Sequence, residues 1–168
     1  DVVAVCRERG LIPFLDMAYQ GFADGIEPDA VAVRAFSASG LQFFVSSSFS
    51  KSFSLYGERV GALSIVTASK EEAGRVLSQV KRVIRTNYSN PPIHGGAIVS
   101  AVLSTPTLRA EWEAELAGMR DRIRAMRTGL VDAIKAQGVA KDFSFVVQQR
   151  GMFSYTGLTA AQVERMKD

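Results

Sequence analysis

The residues best placed to do chemistry in this chain lie in residues 46–61, where one lysine, Lys51, stands in a hydroxyl-rich turn and Arg59 follows it. Apolar runs over residues 41–45 and 60–66 flank the turn, and both are typical of buried strands. An apolar surrounding favours the neutral form of a lysine amine. A neutral amine can condense with a carbonyl group to form a Schiff base.

Three side chains near Lys51 could hold an anionic group. The hydroxyls of Ser48 and Ser50 and the guanidinium of Arg59 are hydrogen-bond donors of the kind that a phosphate requires. A reactive amine together with phosphate donors suggests pyridoxal phosphate as a cofactor. A surface turn with an ordinary solvated lysine is the alternative for so short a motif, but the length of the run over residues 46–61 favours the cofactor.

The predicted elements bring further groups to this turn. Residues 11–15 form an apolar run that ends at Asp16, and a helix is predicted over residues 27–39, with Gly40 at its end. Because the strand over residues 41–45 comes next, the two strands are expected to be parallel.

The strand over residues 60–66 follows after a turn of about eight residues, with no room for a crossover helix, and is therefore expected to be antiparallel to its predecessor. Asp16, the Lys51 turn and Arg59 would then meet at one edge of the sheet, where ligands bind in folds of this class.

The rest of the chain is predicted to be mostly helical. From Leu108 to Ile134, apolar residues recur at spacings of three and four, and this stripe indicates the packing surface of one long helix. Helices are expected over residues 70–85, 93–103, 107–137 and 159–167, and two strands over residues 143–148 and 151–155. The helix over residues 70–85 is expected to turn six apolar side chains inward: Ala73, Val76, Leu77, Val80, Val83 and Ile84.

Composition argues against several function classes. The net charge of +3 is too small to predict nucleic-acid binding, and the arginines of residues 109–127 alternate with acidic residues, as on a solvated helix face. Cys6 is the only cysteine, which predicts a buried core residue and a reducing, cytoplasmic location. His94 is the only histidine, so no metal site is expected. No apolar run is long enough to predict a membrane span.

Four segments resemble class I aminotransferases of the aspartate and aromatic-amino-acid branch: residues 14–22, 48–61, 85–92 and 150–158. The resemblance implies an α/β fold, namely a fragment of the type I fold of pyridoxal-phosphate-dependent transferases, with a mixed, mostly parallel sheet, flanking helices and the start of a small α+β domain. By the family's layout, residues 1–118 would be the C-terminal half of the large domain. Residues 119–168 would be the linking helix and the start of the small domain.

The resemblance also implies roles at the cofactor. Lys51 would bind pyridoxal 5'-phosphate and move a proton, Asp16 would pair with the pyridine nitrogen, and Tyr19 would donate to the phenolic oxygen. The phosphate would be held by Ser48, Ser50 and Arg59. By the same layout, a ring-stacking aromatic residue, an asparagine and a phosphate-binding helix would lie before residue 1, and a carboxylate-binding arginine after residue 168.

On the substrate side, the resemblance implies transfer of an amino group from tyrosine or phenylalanine to 2-oxoglutarate by a homodimer. Phe153 would line the substrate pocket, and Arg85 would reach across the dimer interface to the distal carboxylate of a dicarboxylic substrate. Residues 53–58 and 152–157 favour the aromatic type, whereas residues 90–94 favour aspartate, which stays open as the alternative. These 168 residues would be part of a longer protein. The alternative to an enzyme is therefore a truncated chain without catalytic activity, a structural fragment only.

Overall fold

The computed structural model describes residues 1–167, and a three-stranded sheet lies at its centre. The strands are β1 (Phe14–Met17), β2 (Phe43–Ser48) and β3 (Gly61–Val66), in the order β1-β2-β3. β1 and β2 are parallel, whereas β2 and β3 are antiparallel. Both predicted strand directions are confirmed. A helical crossover joins the parallel pair, and only a short turn joins the antiparallel pair.

Eight helices complete the described chain. They are α1 (Val2–Glu8), α2 (Ile26–Asp29), α3 (Val31–Ser39), α4 (Lys70–Asn87), α5 (His94–Ser104), α6 (Pro106–Ala136), α7 (Phe145–Gln148) and α8 (Ala160–Arg165). The predicted helix over residues 27–39 is divided at Ala30, whose ψ of 11° departs from helical geometry. Gly40 ends α3 in the left-handed conformation, with φ of 74°, as a glycine after a helix is expected to do.

The core lies on one face of the sheet. Phe43 and Val45 of β2 pack with Cys6 of α1 and Phe36 of α3, and all four side chains are buried. The alternation of side chains along β2 explains the pattern, since every second residue points to the same face. Cys6 is a free, buried cysteine, which confirms the predicted core position.

The outer strands are less buried than the sequence predicts. Phe14 of β1 and Leu63 of β3 are exposed, and most of β3 is open to solvent. Each outer strand has one neighbour in the described sheet, so only β2 is enclosed on both sides. The prediction of buried strands on either side of the Lys51 turn is therefore correct for β2 and wrong for β3.

The second face of the sheet borders an apolar groove of about 1310 Å³. Phe44, Leu63 and Ile65 line it from the sheet, and the apolar face of α4 lines it from the other side. The six α4 side chains predicted to point inward all border this groove, but none of them is buried. The helix is as predicted, whereas the expected burial of its face is wrong within residues 1–167.

The two strands predicted near the C-terminal end are absent from the described residues. Residues 145–148 form the short helix α7, and residues 151–155 are irregular. The carboxylate of Asp142 accepts from the backbone N–H and the hydroxyl of Ser144, which starts a turn and lowers the pKa of Asp142. An apolar run this short does not distinguish a strand from a helix by its period.

α6 runs without interruption through residues 118 and 119, where the sequence predicts a domain boundary. A continuous helix can belong to both domains, so its course does not test the boundary, which stays a prediction. No helix within residues 1–167 is long and apolar enough to cross a membrane.

Candidate active site

β1 delivers Asp16 to the edge of the sheet. Asp16 lies in register with Ser46 of β2, whose hydroxyl donates to Asp16 Oδ1 at 3.2 Å. The carboxylate faces a cleft of about 460 Å³ that is also lined by Tyr19 and Arg150. One hydrogen bond leaves acceptor capacity on a carboxylate, which offers about four lone-pair sites, so Asp16 can bind a further donor from the cleft.

The Lys51 turn follows directly after β2 and is held by its own backbone. Phe49 N–H donates to Val60 O at 3.2 Å, and Phe53 N–H donates to Phe49 O at 3.2 Å. Ser54 N–H donates to the carbonyl of Lys51 at 3.2 Å. The turn is thus a compact structure in which the position of the Lys51 backbone is fixed.

Trp112 of α6 anchors this turn from outside. Its indole N–H donates to Ser52 O at 2.6 Å, and its ring stacks on Phe53 with 4.5 Å between the ring centroids. In the sequence, Trp112 belongs to the apolar stripe of the helix predicted over residues 107–137, and its spacing there predicts packing alone. The hydrogen bond adds a directional restraint one residue away from Lys51.

The amine of Lys51 lies over the ring of Tyr19. Lys51 Nζ is 5.2 Å from the ring centroid, within the range of a cation–π contact. The Tyr19 ring is also in edge contact with Phe153, at 5.3 Å between centroids. The Tyr19 ring therefore contacts both Lys51 and Phe153, although the three residues come from separate parts of the chain.

The three predicted phosphate donors lie on the Lys51 turn or beside it. Ser50 is buried, with 6% of its surface exposed, and its N–H donates to Ser48 Oγ at 3.2 Å. Since Ser48 Oγ accepts that bond, its own proton is available to a ligand. Arg59 adopts a positive φ of 53°, and its Nη1 donates to Tyr56 O at 2.8 Å, so its described contact stays within the turn.

Arg85 is not brought to the cleft by the described contacts. It lies in the last turn of α4, is exposed, and donates to the hydroxyl of Ser89. Within residues 1–167 its hydrogen bonding is local, and the predicted contact with a substrate across a subunit interface stays a prediction.

Three arginines of α6 hold the loops around the cleft, a role that the sequence analysis missed. Arg120 donates to Gly21 O at 3.1 Å, and Arg124 donates to Ala23 O at 2.5 Å. Arg127 is 6% exposed and is hydrogen-bonded to the segment that carries Phe153. The prediction of a solvated, mixed-charge helix face is therefore wrong for Arg127. The signal was the spacing of the three arginines, which places them on one side of a helix.

A carboxylate fixes the loop after Tyr19. Asp29 accepts from the backbone N–H groups of Gly21, Ala23 and Asp24, at 2.7, 3.0 and 2.8 Å. Arg150 forms an ion pair with Asp24 and closes the loop from the opposite side. These contacts give the cleft one wall of defined shape.

Comparisons with known proteins identify the family and the fold of this chain. The family model described as aminotransferase class I and II matches residues 1–168. An aspartate aminotransferase from Pseudomonas aeruginosa is 69% identical over 99% of the chain, and an aromatic-amino-acid aminotransferase from Escherichia coli K12 is 53% identical over 99% of it. The chain spans 42% of the length of each of these relatives.

A solved structure shows the same fold. The aromatic-amino-acid aminotransferase from Burkholderia pseudomallei, covalently bound to pyridoxal phosphate, superposes with a TM-score of 0.96 at 70% identity. The match covers 99% of this chain and 42% of that one. The predicted type I fold is confirmed. The prediction from the four resembling segments is confirmed. Because the family model matches all 168 residues, the chain belongs to the class I and II aminotransferase family.

Proposed function

We propose that the full-length protein carrying this chain is a pyridoxal-phosphate-dependent aminotransferase that transfers the amino group of tyrosine or phenylalanine to 2-oxoglutarate. The observation that supports this most directly is the contact of Lys51 Nζ with the Tyr19 ring, beside the cleft that Asp16 and Tyr19 line. A carboxylate and a phenol that line the cleft, with an amine beside it, are the groups that this cofactor requires from its protein.

The donor set fits pyridoxal phosphate in charge and type. Ser48, Ser50 and Arg59 offer hydroxyl and guanidinium donors for a phosphate. Asp16 supplies a carboxylate whose described hydrogen bond is the single one from Ser46. Lys51 Nζ forms no ion pair within residues 1–167. The amine is therefore available for a covalent bond.

Each group has a distinct task in this proposal. When bound, pyridoxal phosphate serves as the electron sink for the bond that breaks at the substrate α-carbon. Asp16 would accept a hydrogen bond from the pyridine nitrogen, and its negative charge would keep that nitrogen protonated. Tyr19 would donate a hydrogen bond from its hydroxyl to the phenolic oxygen of the cofactor. Once the substrate amine has replaced Lys51 on the cofactor, the freed Lys51 Nζ would take the proton from the α-carbon as a general base, held in place by the Lys51 turn and Trp112.

Aromatic substrates are favoured by the aromatic surface beside Lys51. Phe153 is 73% exposed and lies in edge contact with Tyr19, so its ring can pack against the ring of a substrate. The similar structure from Burkholderia pseudomallei is named for aromatic amino acids.

Aspartate is the second candidate substrate, on a specific observation. Arg85 is an exposed guanidinium in the segment over residues 85–92, and a guanidinium binds a distal carboxylate in bidentate fashion. The relative from Pseudomonas aeruginosa is named for aspartate. Since the described contact of Arg85 is local, its action on a substrate in this proposal requires a homodimer.

A cytoplasmic location is proposed on the free thiol of Cys6.

The test compares substrates in the full-length protein that contains residues 1–168. Amino transfer to 2-oxoglutarate is measured for tyrosine, phenylalanine and aspartate, and kcat/KM is compared among them. Lys51→Ala should abolish transfer from all three, whereas Lys81→Ala, an exposed lysine on α4, serves as the matched control and should leave it intact. A wild-type protein that binds cofactor but prefers aspartate would replace the aromatic assignment with the second candidate.

A further inference from the structure

We propose that Arg127 is a positioning residue that sets Phe153 against Tyr19 and thereby sets the fit of the substrate side chain. This inference rests on the proposed aminotransferase function, because the fit that it explains is that of the amino-acid substrate. Arg127 lies on α6, and its described side-chain hydrogen bonds all go to the segment over residues 149–155.

The guanidinium of Arg127 is bound by that segment on all its sides. Nε donates to Ser154 Oγ at 2.8 Å, Nη1 donates to Gln149 O at 2.7 Å, and Nη2 donates to Gly151 O and to Phe153 O. Arg127 is 6% exposed. A buried charge is tolerated when hydrogen bonds compensate for its lost hydration, and here four bonds to one segment do so.

These hydrogen bonds satisfy backbone carbonyls that would be paired by a neighbouring strand in a β-sheet. Residues 151–155 are irregular, so their carbonyls lack the ladder partners that a strand would have. Gly151, with φ of 82°, turns the chain in a conformation that side chains disfavour. Gln149 binds both the N–H and the carbonyl of Tyr155 through its side-chain amide. The shape of the segment is therefore set by two side chains, and Arg127 is the one that binds the carbonyl of Phe153 itself.

The same helix holds both of the loops that meet where the Tyr19 and Phe153 rings are in contact. Arg124, one turn before Arg127, binds Ala23 O and the carboxylate of Asp24 in the loop that follows Tyr19. Arg127 binds the opposite segment, which carries Phe153. The contact of 5.3 Å between the Tyr19 and Phe153 rings thus joins two loops that are each fixed to α6. A shift of the Phe153 segment changes the space left for a substrate ring.

Lysine cannot replace Arg127 in this arrangement. A guanidinium is planar and presents five donors in a fixed fork, whereas an ammonium is a point charge with three. Arg127→Lys keeps the positive charge and loses the geometry, and Arg127→Met keeps the apolar stem and loses both. The matched control is Arg122→Met, at an exposed arginine of the same helix.

The experiment uses the full-length protein loaded with pyridoxal phosphate. Arg127→Lys and Arg127→Met should lower kcat/KM for tyrosine by about tenfold to a hundredfold, chiefly through KM, as expected for a misplacement of about 1 Å in a binding site. Cofactor trapped on Lys51 by borohydride should stay at the wild-type level, and Arg122→Met should match the wild type. If Arg127→Met does not fold, Arg127→Lys carries the comparison.

Two further readouts separate positioning from general stability. In a Phe153→Ala background, Arg127→Lys should cost little more, since the residue through which it acts is gone. Amide hydrogen exchange in residues 149–155 should rise in Arg127→Lys and not in Arg122→Met. Full additivity of the two substitutions, or unchanged exchange, would overturn the inference. A wild-type protein that carries no cofactor on Lys51 would overturn the proposed function instead.

Discussion

Replacing Trp112 tests whether α6 holds the Lys51 turn through one hydrogen bond. Trp112→Phe keeps an aromatic ring for stacking on Phe53 and removes the indole N–H that donates to Ser52 O at 2.6 Å. The loss of one hydrogen bond costs about 1 kcal/mol, and up to about 3 kcal/mol if the carbonyl finds no other donor. Trp112→Ala also removes the ring, and such truncations in cores cost about 3–5 kcal/mol. Since Trp112 is half-buried, the lower end of that range applies.

The assay is urea unfolding of the full-length protein followed by far-ultraviolet circular dichroism, because the substitution removes the indole that fluorescence would report. Tyr56→Phe, at an exposed aromatic residue of the same turn, is the control and should match the wild type. We expect the unfolding midpoint to fall from wild type to Trp112→Phe and further to Trp112→Ala, with less cofactor attached to Lys51 in the same order. Equal midpoints for wild type and Trp112→Phe would refute the anchoring role of the hydrogen bond.

Three further predictions follow from the site and the groove. Asp16→Ala should leave pyridoxal phosphate attached to Lys51 but lower turnover, measured as cofactor absorbance against amino transfer; near-normal turnover would limit Asp16 to its bond with Ser46. Arg85→Leu should raise KM for aspartate far more than for tyrosine, because only aspartate offers a distal carboxylate to the guanidinium, and equal losses would indicate a structural role. Residues 1–168 expressed alone should bind a hydrophobic dye and self-associate through the apolar groove of about 1310 Å³; a monodisperse, dye-free chain would contradict this.

Strand direction was predictable from this sequence because connection lengths determine it. The helical connection between β1 and β2 is long enough for the crossover that parallel strands need, whereas the short turn after β2 allows only an antiparallel partner. Burial was less predictable. The apolar residues of β3 and α4 predict that a surface will be covered, but a local pattern does not specify what covers it, and within residues 1–167 both surfaces border an open groove.

The residues around Lys51 were predicted by type, whereas the residues that hold them were not. A lysine in a serine-rich turn has a chemical signature of its own. Arg127 is surrounded in sequence by other arginines and acidic residues, so composition gives no reason to separate it from its solvated neighbours. Its burial depends on the irregular segment over residues 149–155, in which a strand over residues 151–155 was wrongly predicted. A wrong local structure there concealed the partners of Arg127.

In the proposed function, Lys51 is the residue that carries the cofactor. The measurement is borohydride reduction of the full-length protein after addition of pyridoxal phosphate, followed by proteolysis and mass spectrometry of the peptide that contains residues 46–61. We predict that the reduced cofactor adds its mass at Lys51 and that Lys51→Ala abolishes both this product and the visible absorbance. Trapping at any other lysine, or a Lys51→Ala protein that retains the absorbance and its amino-transfer activity, would contradict the account.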